Sequence, residues 1–395
     1  MYPGFSDLLN DLFGTNFSVS FPPMFGTMVA LSFLLSAWIM KLELKRKEKL
    51  GLVSPHIRKT LIGKPASFGE LFWNGLFGFF LGYKGVYVFL NSSEFFSDPP
   101  SVILSTKGNT VAGLAVAALF AFLKYREKNK AKLENPKMQE EVIRPYQTVP
   151  ELTMAAALGG LFGAKIFHIL EYWGDFLQDP AGMFFSGSGL TMYGGLIVGT
   201  FTTIWYARSV GISPLIMCDT AAPALMLGYG TGRIGCQLSG DGDWGIVNNS
   251  PMPDWMSFLP EWVWKFKYPH NVIGEGLPIP GCEGRYCYEL AEAVFPTPLY
   301  ESVVCILLFF VLWSIRKRIS VPGVIFFLYL VMNGVERFLI ESIRVNSKYH
   351  VGSFSFTQAQ LISTLLIITG IIGIIYLNKR GLKQSQLEKN NQSDG

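Results

Sequence analysis

Charge is scarce in this chain. Only 16% of its 395 residues are Asp, Glu, Lys or Arg, with 4 histidines and 5 cysteines, while half are hydrophobic. The apolar residues gather into long blocks instead of recurring at one-face helical spacing, which is the pattern of an integral membrane protein. Five cysteines are too few for a disulfide scaffold. Cys218 and Cys305 fall inside apolar blocks and read as packing residues. Cys282 and Cys287 lie in a long polar stretch, where an oxidising compartment allows them to pair. Zinc would need two more ligands and His270 is the only histidine nearby, so a small disulfide is expected, with no metal site and no cofactor. The first apolar block lacks a basic start and a small-residue cleavage site, so it reads as an uncleaved signal anchor. A net charge of +4 gives no support for nucleic-acid binding and belongs to topology.

The blocks predict an all-α integral membrane protein, a polytopic helical bundle of about nine spans: 24–40, 68–90, 108–124, 151–172, 190–207, 214–235, 299–315, 322–341 and 357–377. Basic residues collect in cytoplasmic loops. Segments 41–64, 124–147, Arg208, Arg316–Arg318 and the tail from Lys379 hold 23 of the 33 Lys and Arg, and all fall on one side of the alternation. The N-terminus is therefore expected outside and the C-terminus in the cytoplasm. The organisation follows: 1–235 carries spans one to six, 236–298 a small extracytoplasmic head, 299–378 spans seven to nine, and 379–395 a cytoplasmic tail. Trp244, Trp255, Trp262 and Trp264 suit a head at headgroup level.

A shift of 81 residues without a gap superposes Glu70 on Glu151, Gly82 on Gly163, Lys84 on Lys165, Asp98-Pro99 on Asp179-Pro180, Thr110 on Thr191 and Gly113 on Gly194. Segments 68–124 and 151–207 thus read as a duplication. The second copy carries His168, Tyr193 and Gly194-Gly195, and Ala112 is the first copy's partner of Tyr193.

Arg233, between Gly232 and Gly235, closes a long apolar segment. A guanidinium at membrane depth needs an anion or a wet cavity, and the glycines admit backbone or ligand. A second charge group ends span eight. Arg337, Glu341 and Arg344 stand at i, i+4 and i+7, predicting a carboxylate between two guanidiniums on one helical stripe, while Glu336 points elsewhere as a cap or interface residue. Either this is a self-neutralising ladder, or Glu341 orients one arginine and leaves another free for a phosphate, whose oxygens match the guanidinium fork.

These residues resemble a known family. Gly232-Arg-Ile-Gly235 followed by Gly240, Asp241, Trp244 and Gly245 is similar to the signature of the bacterial prolipoprotein diacylglyceryl transferases. Tyr193-Gly194-Gly195-Leu196 resembles its His/Tyr-Gly-Gly-Leu element, Pro296-Thr297-Pro298-Leu299-Tyr300-Glu301 its Pro-Ser-Gln-Leu-Tyr-Glu element, and Arg337-Phe-Leu-Ile-Glu341-Ser-Ile-Arg344 its late Arg-Phe-x-x-Glu-x-x-Arg helix. The resemblance covers span one and everything from about 150 to 377, and the duplicated pair adds two spans to the family's seven. Departures are Tyr193 for the common histidine, Cys236-Gln237-Leu238-Ser239 for Asn-Phe-x-Asn, Phe295 for a histidine, and Asp241 or Asp243 for the usual glutamate.

The resemblance implies a multi-pass protein of the bacterial inner (plasma) membrane. Its partners would be membrane lipids, among them phosphatidylglycerol, and a preprolipoprotein with its lipobox cysteine, with no cofactor and no nucleic acid. The reaction would transfer the diacylglyceryl group to the cysteine thiol and release glycerol phosphate. Arg233 and Arg337 would stabilise phosphate charge; Tyr193, Asp241 and Asp243 are candidates for proton acceptance or orientation. Gly194, Gly195, Gly232, Tyr300, Glu301, Glu341 and Arg344 would bind substrate. Cys236 reads as packing or capping. A transporter or lipid-binding protein is the competing class, with a catalytically silent homologue as a third reading.

Overall fold

A computed structural model describes residues 1–395 except 18–19, 93–94, 96–101, 103–104, 186–188, 347, 352–353 and 394–395. The Asp98-Pro99 half of the predicted repeat lies outside the described residues. In chain order the helices are α1 (Phe5–Phe13), α2 (Met24–Lys49), α3 (Phe68–Leu90), α4 (Thr110–Lys130), α5 (Val149–Glu171), α6 (Trp173–Gln178), α7 (Pro180–Phe185), α8 (Met192–Ser209), α9 (Pro214–Ser239), α10 (Thr297–Ile315), α11 (Val324–Ile340) and α12 (Gln358–Ser393). Each of the nine predicted apolar segments is helical to within a few residues. Among the described residues four helical stretches are long and apolar enough to cross a membrane: Met24–Lys49, Pro145–Glu171, Thr297–Ile315 and Gln358–Gly381. Helix is the form such segments need, because lipid offers no partner for a backbone N–H or C=O. The protein is a mostly helical membrane protein.

The chain forms two compact units, Met1–Val53 with Ile212–Gly395, and Ser54–Gly211. In the first, α9 packs on α2, α10 and α11, and α11 packs on α12. Ser213 caps α9 ahead of Pro214, and Gly240 ends it in the left-handed conformation at φ 64. Gly235 lets α9 close on Met28 and Phe25 of α2, and Gly230 on Cys305 and Ile306 of α10. Opposite the candidate site, Glu43 pairs with Arg46 at 2.5 Å and Arg316 at 3.1 Å, and Asp219 accepts the N–H of Gly323 at 2.6 Å and of Phe326 at 2.9 Å, capping α11. The segment between α9 and α10 is built on Trp244, Tyr268, Leu290 and Val294. A short ladder of Leu277–Pro278 with Tyr288–Glu289 and a Cys282–Cys287 disulfide staple it, so the expected pairing is present.

In the second unit, strands β1 (His56–Ile62) and β2 (Lys137–Ile143) pair antiparallel and bracket the α3–α4 hairpin. A capping box of Ser67 and Glu70 starts α3, and Glu70 meets Lys128 of α4 at 2.6 Å. The α5–α8 hairpin follows. Helices α3 and α5 have ends 81 residues apart, but the second helices are related by 82. Gly82 faces the carbonyl of Ala112 and Val116, as Gly163 faces Gly194 and Val198; Gly113 faces Phe79 and Tyr83, as Gly195 faces Gly160 and Ala164. The N–H of Asn109 donates to Tyr83 at 2.9 Å and that of Thr191 to Ala164 at 3.0 Å. One residue is inserted in the second loop. The gapless alignment is thereby corrected, and Val111, not Ala112, occupies the place of Tyr193.

Candidate active site

Three arginines from separate stretches of the first unit converge on Glu301, near the start of α10, whose side chain is 0% exposed. Arg233 comes from the last turns of α9 and brings Nε to 2.7 Å from Glu301 Oε2. Arg344, past the end of α11, puts Nη1 2.7 Å from Glu301 Oε1 and Nη2 2.6 Å from Asp243 Oδ1. Arg337, in the last turn of α11, lies 3.8 Å from Glu301 Oε2 through Nη1 and pairs with Glu341 at 2.9 Å through Nη2. Arg233 also reaches Asp243 through Nη1, and its guanidinium lies 5.3 Å from the ring centre of Tyr229. The Tyr229 hydroxyl donates to Glu301 at 2.5 Å.

Local backbone explains this arrangement. Helix α11 gives way at Glu341 to a 3-10 turn, Glu341–Ile343, and Arg344 is extended at φ −91, ψ 153. The expected stripe of Arg337, Glu341 and Arg344 is therefore broken, since i+7 alignment requires α geometry throughout. Glu341 contacts Arg337 and accepts from Asn346 at 2.6 Å, and the carboxylates between guanidiniums are Glu301 and Asp243. A bridge joins Gly245 to Arg344, Ile246 N–H donates to Ile343 at 2.9 Å, and Thr297 Oγ1 donates to the Asp243 carbonyl at 2.8 Å. The glycine at 245 is required by close approach: a Cβ there would strike the Ile343 carbonyl and the Phe295 and Thr297 side chains.

The two loop acids differ. Burial alone would push the Asp243 carboxyl up, but the guanidiniums of Arg233 and Arg344 outweigh it and hold Asp243 below the ordinary carboxylate range. Asp241 is raised, by burial first and by the charge of Asp243. Cys236, Asp241 and Asp243 bring ligand atoms within 4.8 Å of one another, and the cation they face is Arg233, whose Nη1 is 3.6 Å from Cys236 Sγ.

The other predicted residues have definite places. Among the described residues a Cβ at Gly232 would meet nothing within 4 Å, while Gly235 serves packing. Tyr300 donates to the Val263 carbonyl at 2.8 Å and ties α10 to the loop segment. Trp244 belongs to that segment's core. Tyr193, Gly194 and Gly195 open α8 in the other unit, where Gly194 meets Gly163 and Phe167. Tyr229 was missed by sequence reasoning; its position four residues before Arg233 on α9 was the available signal.

Helices and site together are those of a helical membrane protein with a buried arginine–carboxylate network at one end of its helices. The particular family follows from comparison with known proteins: residues 102–376 match the profile of the prolipoprotein diacylglyceryl transferases, and the chain belongs to that family. It is similar to phosphatidylglycerol–prolipoprotein diacylglyceryl transferases of several bacteria. The Leptospira interrogans serovar copenhageni protein is 27% identical over 277 residues, covering 57% of this chain and 77% of the relative. That of Dehalococcoides mccartyi strain 195 is 27% identical over 279 residues, covering 70% and 90%. That of Staphylococcus carnosus is 31% identical over 223 residues, covering 56% and 72%.

Proposed function

We propose that this protein is a phosphatidylglycerol–prolipoprotein diacylglyceryl transferase, moving the diacylglyceryl group of phosphatidylglycerol to the lipobox cysteine thiol of a prolipoprotein. The observation that carries the reading is the convergence of Arg233, Arg337 and Arg344 on Glu301, with Arg337 23% exposed and its Nη1 finding no hydrogen-bond acceptor among the described residues. In the reaction the cysteine sulfur attacks the glyceryl carbon, a C–S bond forms, and the C–O bond to phosphate breaks. The electron pair leaves on the phosphate oxygen, completing glycerol phosphate, and the thiol proton passes to a base. Charge grows on the phosphate in the transition state. Guanidiniums fixed in a water-poor site stabilise it without reorganising, each such donor being worth about 10² to 10³ in rate.

Arg337 supplies one phosphate donor through Nη1, which has only the long ion pair to Glu301, and Arg233 supplies the second. Glu301, Glu341 and Asp243 hold the guanidiniums in place, and Arg344 locks Asp243 against Glu301. Asp241 takes the thiol proton: a raised carboxyl is the better base of the two. Tyr193 is an orienting hydroxyl, on the strength of the family's His/Tyr-Gly-Gly-Leu element alone. Nine spans, an outer head at 236–298, an outside N-terminus and a cytoplasmic C-terminus in the inner membrane complete the reading, supported by the basic-residue asymmetry. On this view α3–α4 is a duplicated scaffold pair and α5–α8 the working copy, supported by the matched glycine contacts. Transfer from labelled phosphatidylglycerol to a lipobox peptide by the purified protein tests the proposal. Loss of transfer in Arg337→Ala supports it, and full transfer by that variant contradicts it.

A further inference from the structure

Glu336 precedes Arg337 on α11; it is only 6% exposed, and among the described residues neither carboxyl oxygen has a hydrogen-bond partner. Buried polar groups are nearly always satisfied, so a carboxyl with two empty acceptors needs an explanation. Its direction is set by the helix. Phe327, Val331 and Gly334 form the stripe that meets α12, at Gly370 and Gly373, Gly370, and Ile367 with Ser363 respectively. Glu336 stands two residues beyond Gly334, about 200° around the helix, and so faces away from α12. It lies within electrostatic reach of Glu301, Arg233, Arg337 and Arg344.

The next residue on the helix, Arg337, has an Nη1 that finds no hydrogen-bond acceptor among the described residues and stands 3.8 Å from Glu301 Oε2. Adjacent residues thus present a guanidinium nitrogen with only a long ion pair to Glu301 and, among the described residues, two unpartnered carboxyl acceptors. A ligand that fills both must carry an anionic oxygen and, a few bonds away, hydroxyl donors. A glycerol phosphate headgroup has this layout: one phosphate and a vicinal diol on a three-carbon chain.

We propose that Glu336 receives the hydroxyls of the lipid headgroup while Arg337 holds its phosphate, which makes Glu336 the residue that selects a glycerol headgroup. The assignment rests on the transferase reading above. Sites built to hydrogen-bond a substrate hydroxyl reject analogues that lack it, because the site's own polar group is then left bare.

The test compares two donors with the same acyl chains and charge, phosphatidylglycerol and phosphatidylethanol, on the full chain with a lipobox peptide as acceptor. Wild type should favour phosphatidylglycerol by about tenfold or more in kcat/KM, the worth of one to two hydrogen bonds. Glu336→Leu should lower that ratio about tenfold, and Glu336→Gln, which keeps one acceptor of two, about threefold. An unchanged ratio in Glu336→Leu, or equal loss on both donors, overturns the assignment and makes Glu336 a filler beside Arg337. If the Leu variant does not elute as a single species from gel filtration, the Gln variant decides, an unchanged ratio again overturning it. A wild-type protein that transfers from neither lipid refutes the transferase reading and this assignment together, whereas transfer with an unaltered ratio refutes only the role of Glu336.

Discussion

Replacing Glu301 by glutamine probes the centre of the network with almost no change in shape. Glu301 is fully buried, and its two oxygens face Arg344 at 2.7 Å, Arg233 at 2.7 Å, Arg337 at 3.8 Å and the Tyr229 hydroxyl at 2.5 Å. Each of these neighbours is a donor. An amide offers one acceptor oxygen and turns an NH2 group toward the rest, so at least one guanidinium loses its counter-charge and meets another donor. Removing one partner of a buried ion pair costs about 3 to 5 kcal/mol, because the remaining charge stays desolvated. Glu301→Gln should therefore lower the unfolding temperature in detergent by several degrees. Turnover should fall by about 10² or more, since misplaced guanidiniums no longer meet the developing phosphate charge. Glu341→Gln should cost less stability, because Glu341 faces one guanidinium. Differential scanning fluorimetry and the peptide-transfer assay measure both quantities. A Glu301→Gln protein with wild-type melting and turnover would show that Glu301 does not hold the three guanidiniums.

Other outcomes follow from the same geometry. Arg233→Ala and Arg337→Ala should each nearly abolish transfer, and Lys should rescue poorly at Arg337, because a point charge lacks the two-pronged contact; transfer rates against wild type check this. Asp241 carries a raised folded value, so its base form is lost as pH falls through a point above the ordinary ~3.9. The pH–rate profile should show that acid limb, and Asp241→Asn should remove it, cut turnover by about 10² and leave the unfolding temperature at neutral pH unchanged or higher. Asp243 behaves oppositely. Its depressed value keeps its stabilising charge present above the ordinary ~3.9 and retains it as pH falls until the lowered value is reached, so the limb does not come from Asp243. Tyr193→Phe should cost about 1 kcal/mol, roughly fivefold in rate, with an unchanged pH profile; loss of the acid limb in that variant would make Tyr193 the base.

Much of this architecture is legible in the residues, because lipid forces apolar segments into helices and a lone arginine at the end of such a segment demands an acid. Arg233, Arg337 and Glu341 follow from that logic. Arg344 does not: helical spacing places it on the Arg337 stripe, and only the 3-10 turn at Glu341 and the bridge to Gly245 send it to Asp243 and Glu301. Glu301 reads as a substrate contact from its motif, whereas burial makes it the organiser. The opposite pairing of Glu43 with Arg316 is hidden in sequence because the two lie 273 residues apart and meet only when their helices pack. The register of the two hairpins slips by one residue inside a loop, where apolar matching carries no information.

Incubating the purified protein with phosphatidylglycerol and a lipobox peptide, then weighing the cysteine adduct by mass spectrometry, decides whether the protein is a diacylglyceryl transferase. A diacylglyceryl thioether on the peptide cysteine and an equal amount of released glycerol phosphate are expected, both absent in the folded Arg233→Ala and Arg337→Ala variants. A folded wild-type protein that forms no adduct, or arginine variants that form as much as wild type, would contradict that expectation.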